Sequence, residues 1–162
     1  MTYQKIKNLF LRQSYLDAWE DYERSLWKER FLRWDYVILT ASNEAQAEAY
    51  RRQLQDRLEN GRLPDSTVYT VLPDPGGKRV GSGGATFHVL RWLSEQPGGF
   101  RGKRILVIHS GGDSKRVPQY SALGKLFSPV PRELPDGCGS TLFDEFMIAM
   151  SGVPSQIGRA HV

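Results

Sequence analysis

One stretch constrains the fold more than any other: Arg104-Ile-Leu-Val-Ile-His-Ser-Gly-Gly-Asp-Ser-Lys-Arg-Val-Pro-Gln-Tyr-Ser-Ala-Leu-Gly-Lys125. Ile105 to Ile108 is an apolar, β-branched-rich run that reads as a buried strand of a parallel sheet. It passes directly into Ser110-Gly111-Gly112-Asp113-Ser114-Lys115-Arg116. Glycines there let backbone N–H groups approach an anion, because no Cβ stands in the way. Lys115, Arg116 and, after Gly124, Lys125 add positive charge. A strand running into such a turn is where open α/β sheets bind ligands, outside the carboxyl ends of the strands. It is not a Walker A loop, since Gly124-Lys125-Leu126 has no hydroxyl in the last place.

The residues before this stretch supply partners for that strand. Asp35-Tyr-Val-Ile-Leu-Thr-Ala41 reads as a first strand, with Ser42 or Asn43 capping the helix that follows. Ala47, Tyr50, Leu54 and Leu58 share one face of that helix, and Asn60-Gly61 marks its end. Thr67 to Leu72 is a second strand. A β-α-β order argues for a parallel sheet. After it comes a second glycine-rich segment, Pro73-Asp-Pro-Gly-Gly-Lys-Arg-Val-Gly-Ser-Gly-Gly-Ala-Thr86. A helix is expected to open near Gly84 and to send Val89, Leu90, Trp92 and Leu93 toward the core. Free first-turn N–H groups and the helix dipole make such an opening an anion site. The Gly-x-Gly-x-x-Gly fingerprint is not met, because Thr86 stands in the third place.

Outside the two glycine segments the pattern is structural. Tyr15, Trp19, Tyr22 and Leu26 predict an amphipathic helix over about residues 13–31 whose aromatics pack rather than stack on bases. Leu126 to Pro131 is held extended by its prolines, and 132–139 reads as a loop. Thr141 and Asp144 have capping-box spacing ahead of a helix with Leu142, Phe146, Met147 and Met150 on its core face. His88 and His109 are isolated in sequence. No spacing of His, Cys, Asp and Glu suggests a metal centre, and no Ser-His-Asp arrangement is visible.

Composition excludes several classes. The 162 residues carry a formal net charge of +4, which suits an anionic ligand. No block of like charges suggests a nucleic-acid arm. No apolar run approaches the ~18 residues of a membrane helix. The single cysteine, Cys138, cannot form an internal disulfide, so a cytoplasmic setting is expected.

Two separated motifs, Gly77-Lys-Arg-Val-Gly-Ser-Gly-Gly-Ala-Thr86 and Ile108-His-Ser-Gly-Gly-Asp-Ser-Lys-Arg-Val-Pro118 with Gly124-Lys125 and Leu126-Phe-Ser-Pro-Val-Pro131, resemble the fucose pyrophosphorylase family, the N-terminal part of L-fucokinase-type proteins. The likeness runs from about Asp35 to Ser155. It implies a partial Rossmann-like, GT-A-like nucleotidyltransferase α/β fold, a parallel sheet with flanking helices; residues 1–34, read from their own pattern as an N-terminal helical extension, add nothing to the likeness. Residues 35–156 would be the N-terminal part of a sugar-nucleotide pyrophosphorylase domain.

The reaction implied is nucleotidyl transfer from GTP, or another nucleoside triphosphate, to L-fucose 1-phosphate or a similar sugar phosphate. Pyrophosphate leaves, Mg2+ assists, and a fused kinase is common in the family. The resemblance gives Arg116 and Lys125 the catalytic role of neutralising charge on the α-phosphate and departing pyrophosphate. Gly111, Gly112, Asp113, Ser114 and Lys115 would contact the nucleotide on one wall, and Gly81, Ser82, Gly83 and Gly84 on the other. The family's metal carboxylate lies on a later strand, so these residues are expected to include no metal ligand and to be inactive alone. No nucleic acid or membrane partner is expected. The alternative is a non-catalytic nucleotide-binding module using the same turns, and a third reading is a basic nucleic-acid-binding domain. The closing Ile157-Gly-Arg-Ala-His-Val162 can be encoded by ATCGGAAGAGCACACGTC, a sequencing-adapter read. The protein's own sequence is therefore expected to end near Gln156, and Arg159 and His161 to carry no function.

Overall fold

The computed structural model describes residues 2–110 and 124–156. Three strands form a parallel sheet in the order β2-β1-β3: β1 is Tyr36–Ala41, β2 Val68–Pro73 and β3 Ile105–His109. Tyr36 lies level with Val68 on one side and with Ile105 on the other. Side chains of β1 alternate between two faces. Val37, Leu39 and Ala41 pack with Ala47, Tyr50 and Leu54 of α2 (Glu44–Glu59) and with Phe143 and Met147 of α4 (Leu142–Met150). Ile38 points the other way, into Leu72 and into Val89 and Leu93 of α3 (Gly81–Ser94). The result is a mixed α/β fold with helices on both faces of a parallel sheet.

Local chemistry accounts for the helix boundaries. Asn43 caps α2 by accepting from Gln46 N, and Gly61 at φ 65° follows its end. Thr141 and Asp144 form the capping box of α4 as their spacing predicts. A short helix α5 (Val153–Gln156) closes the described chain.

Several expectations are corrected. The N-terminal helix α1 is Tyr3–Trp27, longer than 13–31 toward the start and shorter toward the end. Only its second half is held: Trp19 and Tyr22 pack on Leu134 and Ile148, whereas residues 2–14 are exposed throughout. β3 is an edge of the described sheet and only half-buried, so it is β1 that has the fully buried interior. α3 opens at Gly81, three residues before the expected start. Its Leu90 faces solvent, and Trp92 lies half-buried with its ring edge-on to Tyr36 at 6.0 Å. In α4 the buried residues are Phe143, Met147 and Ile148, while Phe146 is exposed. The expected loop over 132–139 contains strand residues at both ends. β4 (Pro129–Glu133) and β5 (Gly139–Thr141) pair antiparallel around a turn with Gly137 at φ 80°. Prolines are tolerated there because a two-stranded ribbon leaves outward N–H positions unused.

Candidate functional site

The strand order sets the site. β1 runs out to β2 by way of α2, and the chain then returns past β1 to place β3 on its other side. The helices that follow β1 and β2 pack on opposite faces of the sheet. The crevice outside the carboxyl ends of β1 and β3 is therefore a topological switch point, where open α/β sheets take their ligands. The two strand ends are bonded across this crevice. Ser110 Oγ donates to Thr40 O at 2.7 Å, and His109 Nδ1 lies 3.5 Å from Thr40 Oγ1.

His109 reaches α3 as well. The Thr86 hydroxyl donates to Ser82 O at 2.8 Å, so its oxygen is left to accept from His109 Nε2–H at 3.2 Å. Nδ1 can then accept from the Thr40 hydroxyl. Both ring nitrogens are thereby engaged, and a residue isolated in sequence becomes the link between β1, β3 and α3.

Two cavities flank His109. The first, about 310 Å³, is lined by Thr40, Asp74, Arg79, Gly81, Ser82, Ala85 and His109. The start of α3 opens there with no side-chain cap and no acidic residue in its first turn. Its free N–H groups and positive dipole end are therefore available to an anion. Gly81 sits at φ 68°, and a Cβ on Gly84 would lie 2.6 Å from Val80 Cβ. The second cavity, about 400 Å³, is apolar. Leu106 and Ile108 of β3 and Leu142, Phe146 and Met150 of α4 line it, together with Ser110 and Lys125.

Lys125 begins a single 3-10 turn, Lys125–Phe127, and is exposed. The preceding Gly124 is buried at φ 77° against α2. A Cβ there would fall 2.0 Å from the Tyr50 hydroxyl oxygen and 2.7 Å from Gln46 Nε2. Tyr50 and Gln46 are themselves fully buried. Burial pushes the Tyr50 hydroxyl pKa upward, and that hydroxyl has no well-formed hydrogen bond.

Of the residues expected to bind nucleotide, Gly81 and Ser82 line the first cavity; Lys125, expected to be catalytic, lines the second. Gly83 and Gly84 continue the first turn of α3 without lining either cavity. Gly111, Gly112, Asp113, Ser114, Lys115 and Arg116 lie outside the described residues. Thr40, Asp74, Thr86 and His109 were missed from sequence. The rule that sites form beyond strand ends marks Thr40 and Asp74, each at the end of its strand, but no local pattern marks the pairing of His109 with Thr86.

A parallel sheet carrying a glycine-opened helix and a lysine-bearing turn at its switch point defines an α/β protein with a candidate ligand crevice. Residues 99–161 match the model of the fucose pyrophosphorylase domain. Over that part the chain is similar to the fucose pyrophosphorylase family. Among its relatives, the mouse (Mus musculus) fucose-1-phosphate guanylyltransferase is 43% identical over 99 residues, covering 60% of this chain and 17% of that protein. The bifunctional fucokinase/GDP-fucose pyrophosphorylase of Arabidopsis thaliana is 37% identical over 142 residues, covering 73% of this chain and 14% of its own length. The L-fucokinase/L-fucose-1-P guanylyltransferase of Bacteroides fragilis is 39% identical over 79 residues, covering 40% of this chain and 8% of that protein. The chain thus spans less than a fifth of the length of these relatives. No solved structure matches it. Among the described residues no helix is long and apolar enough to cross a membrane.

Proposed function

We propose that this chain supplies the nucleotide-binding part of a sugar-1-phosphate guanylyltransferase that converts GTP and L-fucose 1-phosphate to GDP-L-fucose and pyrophosphate. The observation that carries this reading is the switch-point crevice. There the uncapped start of α3 lies on one side of His109, and Lys125 on the other. The names of the relatives supply the substrates.

Nucleotidyl transfer of this kind needs positioning and charge neutralisation more than covalent chemistry. The α3 N–H groups at Gly81 and Ser82 would orient the nucleotide. Lys125, with Arg116, would offset the charge that develops as the bond from the α-phosphate to pyrophosphate breaks. Gly124 fixes where Lys125 starts, because its backbone is pressed against Tyr50 and Gln46. Among the described residues no three His, Cys, Asp or Glu side chains gather as a metal centre. Mg2+ is proposed as a partner of the triphosphate, and no residue here is assigned to hold it.

The test is binding and turnover measured together. The purified chain is titrated with GTP by calorimetry, and pyrophosphate release is followed with GTP, L-fucose 1-phosphate and Mg2+. In a turnover-competent form, Lys125→Ala should lower kcat by about 10²-fold, the effect of removing one donor aimed at developing charge. Nucleotide affinity should change by less than about threefold. Equal losses in both would contradict the transition-state role. GTP binding without any pyrophosphate release, even in forms as long as the relatives, would favour a non-catalytic module. No GTP binding at all would end the proposal.

A further inference from the structure

Asp74 is the first residue past β2, fixed there by its N–H donating to Ala41 O at 2.8 Å. It holds the N-cap position of the Pro75–Gly77 turn, yet its side chain makes no capping bond. An aspartate at such a place ordinarily turns its carboxylate back onto the free N–H groups. Here the half-buried side chain lines the cavity shared with Gly81, Ser82 and Arg79, and it has no hydrogen-bond or ionic partner among the described residues. Among the described residues it is the only carboxylate in that lining.

The charges sort the two ends of a nucleotide. Arg79 and the start of α3 attract phosphate, whereas the Asp74 carboxylate repels it. The uncharged end, the base, is directed to Asp74. We propose that Asp74 reads the Watson–Crick edge of guanine, a specificity role that rests on the nucleotide-binding reading above. A carboxylate only accepts hydrogen bonds, and it offers two adjacent oxygens. Guanine presents two adjacent donors, N1–H and the 2-amino group. Adenine sets an acceptor, N1, beside its 6-amino donor, and uracil sets one donor between two carbonyls. Guanine alone satisfies both oxygens.

The experiment is calorimetric titration of the chain and of Asp74→Asn with GTP, ITP, XTP and ATP. ITP keeps N1–H and lacks the 2-amino group. XTP replaces that amino group with a carbonyl, which an asparagine amide can donate to while its oxygen accepts from N1–H. The wild type should prefer GTP over ITP by about tenfold and over ATP by about 10²-fold or more, because a site built for a donor leaves its acceptor unpaired when the donor is missing. Asp74→Asn should lose GTP affinity and gain XTP affinity, shifting the GTP/XTP ratio by about 10²-fold. A gain for XTP cannot come from misfolding. A wild type that binds GTP and ITP equally would overturn the assignment. So would a variant that loses every nucleotide by the same factor, the behaviour of a carboxylate that holds a metal or the turn. Absence of binding by any triphosphate to the wild type overturns the nucleotide-binding reading itself, and the base reading with it.

Discussion

Arg57→Ala is expected to destabilise the fold by about 3–5 kcal/mol, the range for breaking one side of a buried ion pair. Arg57 Nε and one terminal nitrogen bond the two oxygens of Asp144 at 2.7 and 3.0 Å, and the side chains are only 6% and 12% exposed. The other guanidinium nitrogen donates to Gln53 O. The guanidinium also lies over the Phe127 and Phe143 rings, 5.0 and 5.7 Å from their centroids. One side chain thus joins α2, the Lys125–Phe127 turn and the capping box of α4. Removing it leaves the Asp144 charge uncompensated, which is why the loss exceeds that of a surface pair.

Urea denaturation measures the change, and a thermal midpoint lower by roughly 10 °C or more is the matching calorimetric result. A loss under about 1 kcal/mol would mean that Asp144 is solvated after all. The double variant Arg57→Ala/Asp144→Ala should lose less than the sum of the single variants, since the second change removes the stranded charge.

Acid provides a second readout on the same pair. Burial pushes the Asp144 carboxyl upward, but hydrogen bonds from Arg57 and Thr141 and the Arg57 charge outweigh it and hold the pKa below the ordinary 3.8. A folded-state pKa below the unfolded one gives stability that is fully present above pH 3.8 and fades as pH falls past it. The gap between wild type and Arg57→Ala should therefore be constant near neutrality and shrink in that acid window. A gap that stayed constant down to pH 2 would exclude the coupling.

Gly124→Ala is the second large effect, about 2–5 kcal/mol, made of two separable parts. A left-handed backbone costs a non-glycine residue about 1–2 kcal/mol. Overpacking a filled core costs about 1–3 kcal/mol more, and at 2.0 Å from the Tyr50 oxygen the new methyl cannot be seated without movement. Tyr50→Phe removes the nearest of three crowding atoms, leaving Gln46 Nε2 at 2.7 Å and the ring Cζ at 2.8 Å. Because that hydroxyl has no well-formed partner, Tyr50→Phe alone should leave stability unchanged or raise it slightly. Combined with Gly124→Ala it should recover only a share of the packing part, because Gln46 Nε2 and the ring Cζ still crowd the methyl, and leave the backbone part. A double-mutant cycle with no coupling would show that α2 does not press on this turn in solution.

The parallel sheet and its covering helices were legible because their signals are local. The β-branched run of β1, the Asn43 cap and the Thr141–Asp144 box each lie within a few residues. The extent of α1 was not legible. At ~3.6 residues per turn, Ile6, Leu9 and Phe10 fall on the side roughly opposite Trp19 and Tyr22, so no single stripe spans the helix. The site was legible only where glycine announced it, at Gly81, Ser82 and Lys125. Asp74, Thr40 and His109 come from three different strand ends, and only tertiary structure brings them to one crevice. The β4–β5 ribbon was hidden by prolines and a glycine, which at an edge mark a turn within pairing rather than its absence.

The strand order also bears on when the crevice can form. β1, α2 and β2 are contiguous, and their pairing closes a short stretch of chain. The seam between β1 and β3 joins residues such as Thr40 and His109, which are 69 positions apart. Closing that longer loop gives up more chain entropy before any contact rewards it. On a ribosome, β1 would emerge and pair with β2 while β3 was still unmade. The candidate crevice is then the last part of this sheet to be completed, and any ligand reaching the nascent chain earlier would find only one of its two strands.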